Sequence, residues 1–224
     1  MAQRALLAES VYRRMRSDLM RGRILPGSRV TEQWAAAHYR ASRTPVREAC
    51  RRLAEDGLLS HKPRQGYQAP MIDLREVDEL YAVRRALEAV SVRGASQAAT
   101  AASVVAQLRR AWSGDAPAAG EEAVYRDEAF HVGLARLGGN RVLGAMLEGI
   151  NARIRLVRVH DFLDVARVEI TVRQHLGILD AVEEGDADLA AVLMDAHISE
   201  SQASASQAAT RALAELWGGA TLAR

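Results

Sequence analysis

The chain of 224 residues contains one cysteine, Cys50, so no intramolecular disulfide can form and a reducing compartment, the cytoplasm, is expected. Aromatic side chains make up only 4% of it, which leaves Ala, Leu and Val to fill a core that the 49% apolar content amply supplies. No apolar run approaches the roughly 20 residues of a membrane span, and the N-terminus lacks the continuous apolar stretch of a signal peptide. A protein with no membrane partner is expected. Net charge is small as well, +2, but unevenly spread. Residues 1–70 hold 14 Lys+Arg against 6 Asp+Glu, a net of +8, and the remainder holds 16 against 22, a net of −6. A basic segment joined to an acidic one predicts two domains with different partners, the basic one facing a polyanion.

Within the basic segment, residues 41–59 carry the sharpest signal. Thr44 is a good helix cap, Pro45 suits a first helical turn, and Gly57 suits a helix end. At about 100° per residue, Val46, Ala49, Cys50 and Leu53 share one face, while Arg47 and Arg51 form a ridge beside it with Arg43 just ahead. Arginine matches phosphate oxygens and guanine edges in bidentate fashion, as a helix in the DNA major groove requires. A solvated surface helix presents the same arginines, so the flanking sequence must decide.

That flank is organised. Ala8, Val11, Tyr12, Met15 and Leu19 recur at helical spacing, Pro26-Gly27 reads as a type II turn, and Thr31 caps a short helix to about Tyr39. Two short helices joined by a tight turn make a helix-turn-helix. Beyond Gly57, two extended runs around Pro63-Arg64-Gln65-Gly66 describe a hairpin, the wing of a winged helix, with Arg64 and Gly66 at the tip to reach the minor groove or backbone.

Pro26-Gly27, Ser42-Arg43-Thr44-Pro45-Val46-Arg47-Glu48-Ala49 and Arg52-Leu53-Ala54-Glu55-Asp56-Gly57-Leu58 together resemble the winged-helix domain of GntR-type bacterial transcription regulators. The resemblance implies base contacts by Arg43 and Arg47 and backbone contacts by Ser42, Thr44 and Gly66. One departure is present: Ala35-Ala36 stands where the family usually has Leu-Ala, with Trp34 beside it.

After residue 70 no strand signal remains, and an all-helical bundle is expected. Asp73 caps a helix to about Ala99, with Val77, Leu80, Tyr81, Arg84, Leu87 and Ser91 inward. An arginine on that stripe needs an anion, within the fold (Glu88) or from a ligand. Helices follow at Ala102–Trp112, Glu121–Leu137, from Asn140, at Val165–Glu184 and from Asp188, with a loop at 113–120 and an Ala/Ser-rich tail through Trp217. The last two turn Val168, Val172, His175, Leu179 and Val182, then Leu189, Leu193 and His197, inward. Asp127 and His131, four apart, stack on one face and can reach one ion. With His175 and His197 they form a donor set suited to a divalent metal such as zinc, nickel or manganese.

Tyr81-Ala82-Val83-Arg84-Arg85-Ala86-Leu87-Glu88, Asp127-Glu128-Ala129-Phe130-His131, Gly139-Asn140, Gln174-His175 and His197-Ile198 resemble the FCD effector domain of the FadR-like GntR branch. The resemblance implies a six- or seven-helix bundle holding a metal through Asp127, His131, His175 and His197, with Arg84 for a small organic acid effector. Gln174 stands where many members have Glu beside His175. The expected protein is mainly α: a winged helix-turn-helix DNA-binding domain at 1–70 and a helical effector-binding and dimerisation domain at 71–224. It is expected to act as a homodimer on palindromic double-stranded operator DNA, as a regulator rather than an enzyme. The competing expectations are a metal sensor, whose ion is itself the signal, and a metal-dependent hydrolase.

Overall fold

The computed structural model describes residues 2–20, 23–98, 101–113 and 119–221. Its elements run α1 (Ala2–Met20), β1 (Arg29–Val30), α2 (Glu32–Tyr39), α3 (Arg43–Glu55), β2 (Ser60–Lys62), β3 (Gly66–Gln68), α4 (Leu74–Ser96), α5 (Ala101–Trp112), α6 (Glu121–Leu137), α7 (Arg141–Asp161), α8 (Val165–Glu183) and α9 (Ala187–Thr221). The chain divides into two compact units, Met1–Ile72 with Leu213–Arg224 and Asp73–Ala212.

In the first unit the Thr31 hydroxyl accepts the Trp34 amide and opens α2, and Arg40 in the left-handed region turns the chain into α3. α3 begins earlier than its sequence suggests. Ser42, not Thr44, stands at the cap, so Pro45 is the third residue of the first turn, where a helix amide still has no partner of its own. At the far end, Gly57 at φ +75 lets its own amide and that of Leu58 bond the carbonyls of Ala54 and Leu53. Val46, Ala49, Cys50 and Leu53 are fully buried, and burial pushes the Cys50 thiol up to about 12. Ala35 packs inward on α2 while Trp34 stands 40% exposed and stacks on His38 at 4.8 Å. The helix therefore seats itself with a small residue, and its large aromatic stays outside.

The wing is the antiparallel hairpin β2–β3, but the sheet has a third strand that the sequence did not announce. β1 pairs with the outer edge of β3, Val30 opposite Tyr67, giving the order β1-β3-β2. Two residues carry no readable periodicity, and only pairing with β3 makes them a strand. Gly66 is fixed by this sheet: at φ +90, a Cβ there would stand 3.1 Å from the Val30 carbonyl oxygen. Gly66→Ala is expected to destabilise the unit by about 1–3 kcal/mol, read as a lower Tm by circular dichroism.

The second unit comprises α4 to α8 and α9 as far as Ala212 among the described residues. Asp73 caps α4 through the amides of Arg75 and Glu76, and Asn140 caps α7 through that of Leu143. α4 ends at Ser96, short of the expected Ala99, which lies outside the described residues, as does most of the expected 113–120 loop. Gly94 and Gly138 bring α4 against the end of α6, since a Cβ on Gly138 would stand 3.1 Å from the Gly94 carbonyl carbon. Two inward stripes differ from the periodicity reading. On α8, Thr171 is buried and Val172 only half so. On α9, Leu189 is exposed and Leu193 half-buried, whereas Ala190, Met194, His197, Ile198 and Ser201 face in. In that alanine-rich helix the small residues allow close packing, and the larger leucines stay outside.

Candidate metal centre and nucleic-acid interface

α4, α6, α7, α8 and α9 converge on a buried polar cluster. Asp127 and His131 sit one turn apart on α6, His175 on α8 and His197 on α9. Each offers a ligand atom within 4.8 Å of the others, and all four side chains are buried. His175 Nε2 lies 3.3 Å from His197 Nε2 and 3.5 Å from Asp127 Oδ1, and His131 Nε2 lies 3.4 Å from Asp127 Oδ2. Donors about 2.1 Å from a tetrahedral ion stand roughly 3.4 Å apart; the three contacts are of that length, two of them to different oxygens of Asp127, while the four ligand atoms as a set lie within 4.8 Å of one another.

Neighbouring side chains set the tautomers. His131 Nδ1 lies 2.8 Å from Glu88 Oε1, which turns its Nε2 to Asp127. His197 Nδ1 lies 2.8 Å from Gln174 Oε1, whose amide group donates to Glu200. That contact leaves the His197 Nε2 lone pair facing the cluster, the role outer partners serve at metal sites. Gln174 thus orients His197 and not its chain neighbour His175. His175 is instead held by Phe130, stacked at 3.7 Å and 4°, and by the edge of Trp112.

Two guanidinium groups share the pocket. Arg84 is buried, with Nε 3.2 Å from Glu88 Oε1 and Nη2 3.7 Å from Asp127 Oδ2. Arg158, on α7, forms an ion pair with Asp127 Oδ2 and is equally buried. The sequence reading did not single out Arg158. Its signal was the stripe Leu147, Asn151, Ile154, Arg158, which continues the apolar seam of α7 with polar groups. Tyr81 Oη, Ser91 Oγ, both Asn151 side-chain atoms, Arg84 Nη1 and His175 Nδ1 have no hydrogen-bond partner in the described structure. Buried polar groups are rarely left so, and their concentration here singles out the cluster as a candidate site.

Burial raises the Asp127 carboxyl, but Arg158 and the imidazoles of His131 and His175 outweigh it and hold it well below the usual carboxylate range. Glu88 is likewise held low against burial by His131 and Arg84. Burial holds His175 and His197 neutral, well below the ordinary histidine value, which is the form a metal takes. All these shifts act in one direction with pH. The unfolded chain takes up protons as pH falls through about 6.5 for histidine and about 4 for the carboxyls, while the folded chain resists. Metal-free protein is therefore expected to lose about 1.4 kcal/mol per pH unit for each of these two histidines below pH ~6, measured by urea denaturation at stepped pH.

In the first unit, Ser42, Arg43, Thr44, Arg47 and Arg51 lie exposed along α3 and its entry, and Arg64 stands exposed at the wing tip beside the half-buried Gly66. Ser42 makes no capping bond, so its hydroxyl is not committed to the helix. Arg47 is paired with Glu32 of α2, and Arg51 with Glu55 one turn on. Glu32 is the residue that sequence reasoning passed over. Arg29 Nε donates to the Gln65 carbonyl at 2.7 Å and ties β1 to the wing tip.

Two family descriptions match the chain: "Bacterial regulatory proteins, gntR family" over residues 7–68 and "FCD domain" over residues 79–200. The Nta operon transcriptional regulator of Aminobacter aminovorans is 32% identical over 179 residues, 78% of this chain and 83% of that one. An uncharacterized HTH-type regulator in an unstable DNA locus of Streptomyces ambofaciens is 34% identical over 193 residues, 84% and 80% of the two chains. The HTH-type transcriptional repressor RspR of Escherichia coli is 28% identical over 86% of both. Among solved structures, E. coli McbR/YncC shares the fold at a TM-score of 0.61 and 22% identity, covering 90% of this chain and 97% of that one. No described helix is long and apolar enough to cross a membrane. The matches cover both the basic and the acidic segment, and the relatives are regulators rather than enzymes: the chain belongs to the GntR family of bacterial regulatory proteins, as a DNA-binding transcription regulator with an FCD domain.

Proposed function

We propose that the chain is a cytoplasmic regulator whose affinity for operator DNA is set by a small organic acid bound at a divalent metal in the helical domain. Residues 1–70 form the DNA-binding domain and residues 71–224 the effector-binding and dimerisation domain of a homodimer on a palindrome. Ser42, Arg43, Thr44, Arg47, Arg51, Arg64 and Gly66 meet the duplex. Asp127, His131, His175 and His197 hold zinc, nickel or manganese, which supplies Lewis-acid positions for the acid's oxygens. Arg84, joined by Arg158, takes the carboxylate.

Charge in the cluster carries this reading. With His175 and His197 neutral, Arg84 and Arg158 balance Asp127 and Glu88, all of them buried. A divalent ion unbalances that set by two positive charges in a place where uncompensated charge is expensive. An anion restores the balance, and the unpartnered Arg84 Nη1 and Asn151 amide can receive it. The acid changes DNA affinity only through a difference in its own affinity for the DNA-competent and DNA-incompetent arrangements, shifted about the segment Pro70–Asp73. Four ligand atoms so deeply buried also suit a closed site, the arrangement of a metal sensor. Titrating metal against operator affinity with no acid present separates the two.

For the DNA half, the test is Arg47→Ala on a duplex that the wild-type protein selects from a randomised pool. Loss of a bidentate guanine contact is expected to cost about 1–3 kcal/mol in fluorescence anisotropy. Unchanged affinity would remove Arg47 from the interface.

A further inference from the structure

Arg47 is not a free side chain on the surface of α3. Its Nε donates to Glu32 Oε1 at 2.9 Å and its Nη2 to Glu32 Oε2 at 3.0 Å, across from the first residue of α2. A guanidinium has five N–H donors in a rigid planar fork. Glu32 occupies one edge of it, the Nε–H and one Nη2–H. The other edge, one hydrogen each of Nη1 and Nη2, points away from the carboxylate, and this edge matches guanine O6 and N7. Both partners can be held at once.

Glu32 is itself well anchored. The helix start that carries it is fixed by the Thr31 cap, and its side chain is 28% exposed where that of Arg47 is 68%. Hydrogen bonding to Arg47 holds the Glu32 carboxyl below its ordinary range, with Arg43 contributing at longer range. An exposed ion pair of this kind adds little to folding, on the order of 0–1 kcal/mol. Its effect lies elsewhere. A long side chain that would otherwise sample many rotamers is restricted before DNA arrives, so less entropy is lost on binding.

From this geometry we infer that Glu32 is a positioning residue for sequence readout: it buttresses Arg47 so that the free edge of the guanidinium faces a guanine of the operator half-site. The inference rests on the proposed base contact of Arg47 and goes beyond it, since it assigns base discrimination to a carboxylate that touches no DNA. A carboxylate near phosphates weakens binding to every sequence alike, so Glu32 trades general affinity for selectivity.

The experiment compares wild type, Glu32→Ala, Glu32→Gln, Arg47→Ala and the Glu32→Ala/Arg47→Ala double variant on two duplexes. One is selected by the wild-type protein from a randomised pool. The other is the same duplex with each half-site guanine replaced in turn. The readout is the ratio of affinities, with thermal melts confirming that each variant is folded. Glu32→Ala is expected to lower the ratio about tenfold at the position that Arg47 reads, while affinity for the substituted duplex stays level or rises. Glu32→Gln, with one acceptor kept, falls between, and adding Glu32→Ala to Arg47→Ala changes nothing more. An unchanged ratio in both Glu32 variants, or tighter operator binding at full selectivity, would overturn the inference while leaving the Arg47 contact standing. A ratio preserved in Arg47→Ala removes the base contact itself, and the inference with it.

Discussion

Asp127→Ala is expected to lower the stability of metal-free protein by about 3–5 kcal/mol, the largest loss at any polar position of the second unit. Asp127 carries the ion pair to Arg158 and lies 3.7 Å from Arg84, and all three side chains are buried. Truncating it leaves two guanidinium groups away from water with only Glu88 among the cluster carboxylates. The penalty is one of charge rather than shape, so Asp127→Asn should lose nearly as much. Replacing an exposed acid such as Asp195, which pairs with Arg85 on the surface, should cost under about 1 kcal/mol. Urea denaturation of chelator-treated protein measures all three. A loss below about 1 kcal/mol for Asp127→Ala would mean that Arg158 reaches water without it.

The second large effect is expected from metal. Binding to the folded chain alone stabilises by about 4 kcal/mol at a thousandfold excess over Kd. For a chain of this length each kcal/mol raises Tm by about 2–4 °C, so zinc, nickel or manganese should shift the melt by roughly 8–16 °C. His175→Ala and His197→Ala should each remove most of that shift, because three ligands bind far more weakly than four. His61→Ala, in the wing and outside the cluster, should leave it intact. A melt indifferent to all three ions would make the cluster a hydrogen-bonded core and leave Arg84 without its proposed ligand. These shifts should also shrink as pH falls, since protons compete for the same imidazoles.

Much of this was legible in the residues because the signals were local. Val46, Ala49, Cys50 and Leu53 state their common face by spacing alone, and Asp127 and His131 state theirs by being four apart. Thr31, Asp73 and Asn140 announce helix starts that need only their own hydrogen bonds. What escaped the sequence depends on partners far along the chain. β1 exists only because β3 lies beside it. Gln174 bonds His197 rather than its neighbour His175, which periodicity cannot reveal. The phase of α9 was misjudged because a helix rich in alanine offers little contrast between its faces, and the two leucines drew the stripe towards themselves. Arg158 was overlooked because a charged residue at the end of an apolar seam is ordinarily solvated. Here Asp127 sits opposite and keeps it inside.

The measurement that reaches the central claim most directly is operator affinity of metal-loaded protein across a panel of small organic acids. The duplex is the one selected by the wild-type chain, with Arg84→Ala run in parallel. At least one acid should change the affinity at least fivefold, the lower end of typical allosteric coupling, and Arg84→Ala should abolish that response while still binding DNA. An affinity that follows metal concentration alone, with every acid silent, would contradict the account and leave the ion as the signal.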